Sequence, residues 1–345
     1  MTAAYLGVAA IGRGMAAARG VETKHAIKQV DRFLSNEGYP MEEFFRGWVP
    51  FLLGGDKSIV VALDWTDFDR DDATTCALHF VTQNRRTAPL VWKTVRKSTL
   101  EGVRNAVEDD VLRTLKNCLP EGIKVLVLAD RGFGDTALYA YLKDELHFDF
   151  IIRFRSNIYV EVNGIRKPAK EWVPRNGRKL KLENPLVTAE GFQVPAVVVY
   201  KAKGMKDDWC LAVSDASLTA NQAIKLYAAR FSIEETFRDI KDRRFGWGLQ
   251  QTRIASFARR DKMLLLSAMA IVLVTLLGFA GESLGFDRGL RANTVKTRTH
   301  SLFFQGTFYF EALPNMKPEK KAALLEKFGK LLALMPFFNR AFSLA

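Results

Sequence analysis

Cysteine and histidine are scarce in this 345-residue chain, with three of one and four of the other. Cys76, Cys118 and Cys210 are odd in number and far apart, which excludes a disulfide framework or a zinc knuckle and suits a reducing, cytoplasmic setting. His25, His79, His147 and His300 stand in no Ser/His or Cys/His context, so nothing points to a nucleophilic triad. Neither the GxxxxGK[ST] nor the GxGxxG spacing occurs, so there is no phosphate-cradling glycine loop. Internal repeats and low-complexity tracts are missing too. The opening residues lack a basic leader followed by an unbroken apolar stretch, so no secretory signal is expected. Acidic residues are also in deficit: 38 Asp+Glu against 51 Lys+Arg leave a net charge of +13. A surface that basic favours polyanions, nucleic acid first and an acidic membrane face second. Only one long apolar run is present, the charge-free segment 263–281. It is long enough to span a bilayer. Nothing else in the chain is membrane-like, so we read it as a core helix that is apolar all round, and expect no membrane association.

What is present is an ordinary globular mix, 48% hydrophobic and 26% charged, long enough for about two domains. Helices are predicted over Thr23–Leu34 and around Met41–Leu53, before the breaker Gly54-Gly55. Short apolar runs rich in β-branched and aromatic residues follow at 58–65, 76–82 and 88–95, and read as three strands. A helix at 99–118, a strand at 123–129, a helix at 135–146 and a strand at 148–154 complete a mixed α/β pattern. Between Ser156 and Asp215 short strand-like runs suggest a β-rich insertion. Residues 153–181 hold nine Lys/Arg against Glu161 and Glu171, together with aromatic Tyr159 and Trp172, and Phe192 lies just beyond. That one-signed excess with aromatic residues suits a nucleic-acid groove, although a solvated charged face gives the same pattern. From Leu218 the chain is helical again, to a last helix near 319–334.

Three carboxylates stand at special places. Asp64 ends the apolar run IVVAL and Asp130 ends VLVLA. A wholly apolar strand belongs in the sheet centre, and an acidic residue at its carboxyl end lies where open α/β sheets commonly place ligands. Capping after a strand is the ordinary alternative for either Asp alone. Residues 64–72, DWTDFDRDD, make an acidic spot in a basic chain that suits a hard cation. The third carboxylate is Glu234. In LYAARFSIEETFRDIK, at about 100° per residue, Tyr227, Arg230, Glu234 and Lys241 fall within an arc of about 60° beside an apolar stripe. An exposed face of i,i+4 pairs would look the same.

The spacing Tyr227-x2-Arg230-x3-Glu234-x6-Lys241 resembles the Y-R-E-K signature of DDE transposases of the insertion-sequence-four branch. Asp64 in VALDW and Asp130 in ADRGFG match the contexts of that family's first two acidic residues. The resemblance covers roughly Ile59 to Gly281. It implies an α/β fold: an RNase H-like mixed sheet flanked by helices, interrupted by a β-rich insertion, with a short helical N-terminal region and a helical C-terminal region. The domains would be 1–55, with DNA-end binding; 56–155 with 216–285, catalytic; 156–215, the insertion; and 286–345. Asp64, Asp130 and Glu234 would hold two Mg²⁺ or Mn²⁺ ions. Tyr227, Arg230 and Lys241 would hold DNA phosphates, and Trp209, with Trp172 as competitor, would stack on a flipped base. The implied activity is cut-and-paste transposition on double-stranded DNA, terminal inverted repeats and target, by a DNA-bound homodimer in a bacterial-type cytoplasm. A nuclease without strand transfer and a DNA-binding descendant that no longer cuts are the alternatives.

Overall fold

A computed structural model describes residues 6–82, 87–188, 190–242, 247–254 and 256–334. The end of the expected C-terminal helical region, 335–345, lies outside the described residues. The chain divides into two compact units, Gly55–Phe237 and a second made of 1–54 with 238–345.

Three helices come first: α1 (Val8–Arg19), α2 (Thr23–Ser35) and α3 (Met41–Leu53). The strands and helices of the sheet unit follow: β1 (Ser58–Phe68), β2 (Ala73–Val81), β3 (Thr87–Arg96), α4 (Arg104–Cys118), β4 (Lys124–Ala129), α5 (Thr136–Ala140) and β5 (Asp149–Phe154). After them come β6 (Tyr159–Val162), β7 (Ile165–Pro168), β8 (Leu180–Glu183), β9 (Leu186–Val187), β10 (Phe192–Gln193), β11 (Ala196–Tyr200), β12 (Trp209–Val213), α6 (Ala220–Ala228) and α7 (Ser232–Lys241), whose residues 238–241 belong to the second unit.

An eight-stranded mixed sheet runs β3-β2-β1-β4-β5-β12-β11-β8. β1 pairs antiparallel with β2 and parallel with β4, and β4 pairs parallel with β5. Two antiparallel hairpin strands leading into parallel neighbours, covered by helices on both faces, agree with an RNase H-like fold. Alternate residues of a strand face opposite sides. Leu128 of β4, Ile151 of β5 and Leu211 of β12 pack with Ala223, Ile224 and Tyr227 of α6. On the other face Tyr139 of α5 stacks on Phe150, ring centroids 5.0 Å apart. Beside it Lys116 of α4 donates to the Leu146 carbonyl.

The 156–215 stretch is rich in strands, which divide between two sheets. β8, β11 and β12 extend the main sheet, and β10-β9-β6-β7 form a separate small one. The reason is in β11 and β12: AVVVY and WCLAV are apolar on both faces and need a central place in a covered sheet.

The helical unit holds α1–α3 with α8 (Phe257–Ser283), α9 (Leu302–Ala312) and α10 (Pro318–Ala333). Residues 238–285, grouped with the catalytic domain from sequence, belong to this unit. α8 is long and apolar enough to cross a membrane by length and composition. Here about half of that stretch is covered by protein. It lies close against α9, where a side chain at Gly278 or Gly306 would strike the facing helix backbone. α1 is an element that the sequence reading did not contain. Gly12 and Gly14 lower its helix propensity, but Gly12 lets α1 close on Ile27 of α2, and that packing outweighs propensity.

Candidate active site

Sheet register builds the site. Leu63 of β1 is opposite Ala129 of β4, and Ala129 is opposite Ile152 of β5. The next positions, Asp64, Asp130 and Arg153, therefore form one row across three neighbouring strand ends, about 5 Å apart per step. By the two-residue period they share a face with Leu128 and Ile151, the face that α6 covers. Trp65, one residue on, turns to the other face, where its Nε1 donates to Glu108 of α4 at 2.7 Å.

Asp64 does not end its strand. β1 continues to Phe68, because β2 still pairs with it after β4 has stopped. The acidic run after it is a turn stitched to basic residues rather than an open anionic spot. Lys97 pairs with Asp67 at 2.7 Å and Asp69 at 2.6 Å, and Arg96 pairs with Asp72 at 3.2 Å.

Asp130 opens the turn Arg131–Phe133, and its Oδ1 accepts from the Gly132 N–H at 2.8 Å. Gly134 follows where there is no room for a side chain. A Cβ there would lie 2.9 Å from the Phe154 Cβ.

Glu234 comes from the helical segment over that face. Thr219 and Gln222 form a capping box that starts α6. The continuous helix expected from sequence is interrupted: Ala229–Phe231 is a 3₁₀ turn between α6 and α7. The Ser232 hydroxyl donates to the Ala229 carbonyl at 2.6 Å, a local bond that competes with the helical ladder. Tyr227, expected at a DNA phosphate, is fully buried, with Trp209 edge-on at 4.9 Å. The ring belongs to the apolar stripe that packs on β4, β5 and β12. Trp209 also stacks on Phe231, centroids 5.9 Å apart. Trp172 stands elsewhere, its Nε1 donating to the Val160 carbonyl and Lys167 4.2 Å over its ring. Lys241 is the last residue of α7 and is half-buried.

The centre of the site is Arg230. Its Nη1 is 3.2 Å from Asp64 Oδ2 and its Nη2 is 2.8 Å from Glu234 Oε1. Its side chain is 5% exposed, Asp64's 19% and Glu234's 54%. Burial pushes the Asp64 carboxyl up to about 6; Arg230 opposes that, and the charges of Asp130 and Glu234 add to it. Burial works against the Arg230 charge, but Tyr227 and the Asp64, Glu234 and Asp130 carboxylates hold its pKa above the ordinary value. Among the described residues the carboxylates are not gathered into a ready ligand cluster. They are grouped around one guanidinium instead. The donor set is nonetheless all carboxylate oxygen and short of positive charge, which fits a hard divalent cation such as Mg²⁺ or Mn²⁺. Sequence reasoning did not place Arg153 at the end of this row; the one signal was the basic excess that begins there.

No curated protein matches the chain. A family model described as the transposase DDE domain matches residues 57–273, from the start of β1 into α8, more than half of the chain. The protein belongs to the transposase DDE domain family.

Proposed function

We propose that this protein is a metal-dependent transposase of the insertion-sequence-four branch, cleaving DNA at the ends of its element and joining the freed 3′-hydroxyls to target DNA. The observation that carries this is the Arg230 guanidinium held between Asp64 and Glu234, with Asp130 in the same strand-end row. Asp64, Asp130 and Glu234 would hold two Mg²⁺ or Mn²⁺ ions. Divalent ions held there would supply activation of the attacking hydroxyl and stabilisation of the leaving oxygen. Asp64, with a carboxyl titrating near 6, is largely ionised at neutral pH and able to serve as a ligand. Arg230 compensates the carboxylates in the free protein, and with Lys241 it would hold backbone phosphates near the scissile bond. Trp209 would offer its ring to a base, with Tyr227 and Phe231 fixing its position. α1–α3 would bind element ends, and the working form would be a homodimer on two DNA ends.

The test is nicking of DNA that carries the element's own ends, with Mg²⁺ present. Asp64→Ala, Asp130→Ala and Glu234→Ala should each abolish nicking in proteins that melting curves show to be folded and that still bind element ends; Asp64→Ala should be the least stable, because it takes a partner from the buried Arg230. The effects should be non-additive, because each removes part of one unit. Nicking within a few-fold of wild type in any of the three would overturn its assignment.

A further inference from the structure

The row Asp64–Asp130–Arg153 leads into a second charged site. A cavity of about 350 Å³ lies between the Asp130 turn, the end of β5 and the loop 201–208 that joins β11 to β12. Arg131, Arg153, Arg155, Lys201 and Lys206 line it. The loop contributes only two acidic groups against them, Asp207 and Asp208.

Asp207 bridges two guanidiniums. Its Oδ2 is 3.4 Å from Arg131 Nη1 and 3.5 Å from Arg153 Nη2. Asp208 pairs with Lys201 at 3.0 Å, and its backbone carbonyl accepts from Arg153 Nη2, also at 3.0 Å. Arg155 and Lys206 make no ion pair among the described residues, so positive charge is left over. The Arg153 side chain is 14% exposed, yet its Nε is buried and donates to nothing. A buried, unsatisfied guanidinium donor is rare and needs a reason. Ion pairs as long as those of Asp207, itself half-exposed, contribute little and exchange readily. Two guanidiniums around one small oxyanion is the arrangement that suits a phosphate, since each planar fork can offer two parallel N–H donors.

We infer that this cavity is a subsite for a DNA backbone phosphate, distinct from the carboxylate centre, and that Asp207 occupies the phosphate's place until DNA displaces it. The inference rests on the DNA-processing function proposed above. Asp130 and Arg131 are consecutive, so a phosphate held by Arg131 and Arg153 fixes the strand beside the scissile position. Gly134 supports the same construction, because its close approach to Phe154 locks the Arg131 turn against β5. The loop 201–208 is then a reversible cover. Asp207 screens the two arginines in the free protein, and Lys206 remains to meet DNA.

Arginine and aspartate variants should act in opposite directions. With the full chain and a mixed-sequence duplex DNA, anisotropy titrations run at salt from about 50 to 200 mM. Arg153→Ala and Arg131→Ala should each weaken binding by roughly tenfold or more and lower the salt slope by about one. Asp207→Asn should tighten binding several-fold, since it removes the competing anion. Arg131 is 55% exposed, so its variant should fold even if Arg153→Ala is unstable, and melting curves check both. If Asp207→Asn weakens binding as the arginine variants do, the bridge is merely structural and the inference fails. Wild-type affinity and slope in the arginine variants also overturn it, while the wider DNA function survives. A wild-type protein with no salt-dependent DNA affinity overturns both.

Discussion

Gly134→Ala tests how closely catalysis depends on the Asp130 turn. The added methyl would meet the Phe154 Cβ at 2.9 Å, its Cα at 3.1 Å and the Arg153 carbonyl at 3.3 Å. Carbon atoms pack best at about 3.5–4.0 Å, so the turn or β5 must give by about 0.6–1 Å. Phe154 is the last residue of β5, but it is buried and held by its pairing with Cys210 of β12, so the β5 backbone is the stiffer partner. The turn that carries Asp130 and Arg131 therefore moves. Overpacking of this kind costs about 1–3 kcal/mol, which urea unfolding measures. A displacement near 1 Å at a reacting centre costs on the order of 10²-fold in rate. Nicking of DNA with the element's ends should fall by about that factor at saturating Mg²⁺, in a protein that is still folded at the assay temperature. Gly329→Ala, on α10 with nothing within 4 Å of the new methyl, is the control and should leave nicking unchanged. Nicking by Gly134→Ala within a few-fold of wild type would refute the idea that this turn sets the position of Asp130.

His79 is fully buried, bonded to Thr87 Oγ1 at 3.0 Å, and burial pushes its pKa down to about 3. The folded state keeps it neutral and the unfolded state binds the proton below about 6.5, so its contribution to stability is present above 6.5 and lost as pH falls toward 3. The loss is about 1.4 kcal/mol per pH unit. His79→Gln should therefore lose about 2 kcal/mol less than wild type between pH 7 and 5 in urea unfolding, and equal losses would contradict the assignment. In the helical unit, Gly306→Ala forces a methyl onto the Val274 carbonyl of α8 and should cost about 1–3 kcal/mol. Gly329→Ala on α10 meets nothing within 4 Å and should stabilise by about 0.5–1 kcal/mol; calorimetry showing the same sign for both would refute the packing described for α8 and α9.

Much of the sheet was legible because its strands are β-branched runs with clear breakers. β1 to β5 and α2 to α4 fall close to their expected ranges. The two strand-end aspartates were legible for a related reason, since a charge at the end of an apolar run has few places to go. Other features depend on the tertiary fold. α1 carries Gly12 and Gly14 and forms because it packs on α2. The break at Ala229–Phe231 carries a bond from the Ser232 hydroxyl to the Ala229 carbonyl, which no periodicity reveals. A helical wheel put Tyr227 beside Arg230 and Glu234, but could not tell which side of that arc lies inside. The ion pairs from Arg96 and Lys97 that offset the acidic turn after Asp64 come from a strand distant in sequence. Nor does a basic run show that Asp207 will lie between Arg131 and Arg153.

A strand-transfer assay decides whether Asp64, Asp130 and Glu234 act as one centre: it supplies a pre-cleaved element end with a free 3′-hydroxyl, a target plasmid and Mg²⁺, and follows joined product. Wild type should join the two, and each of the three alanine variants should yield no joined product while still binding the end. Nicking without joining by wild type would make the protein a nuclease. Joining by any of the three variants would contradict the shared centre.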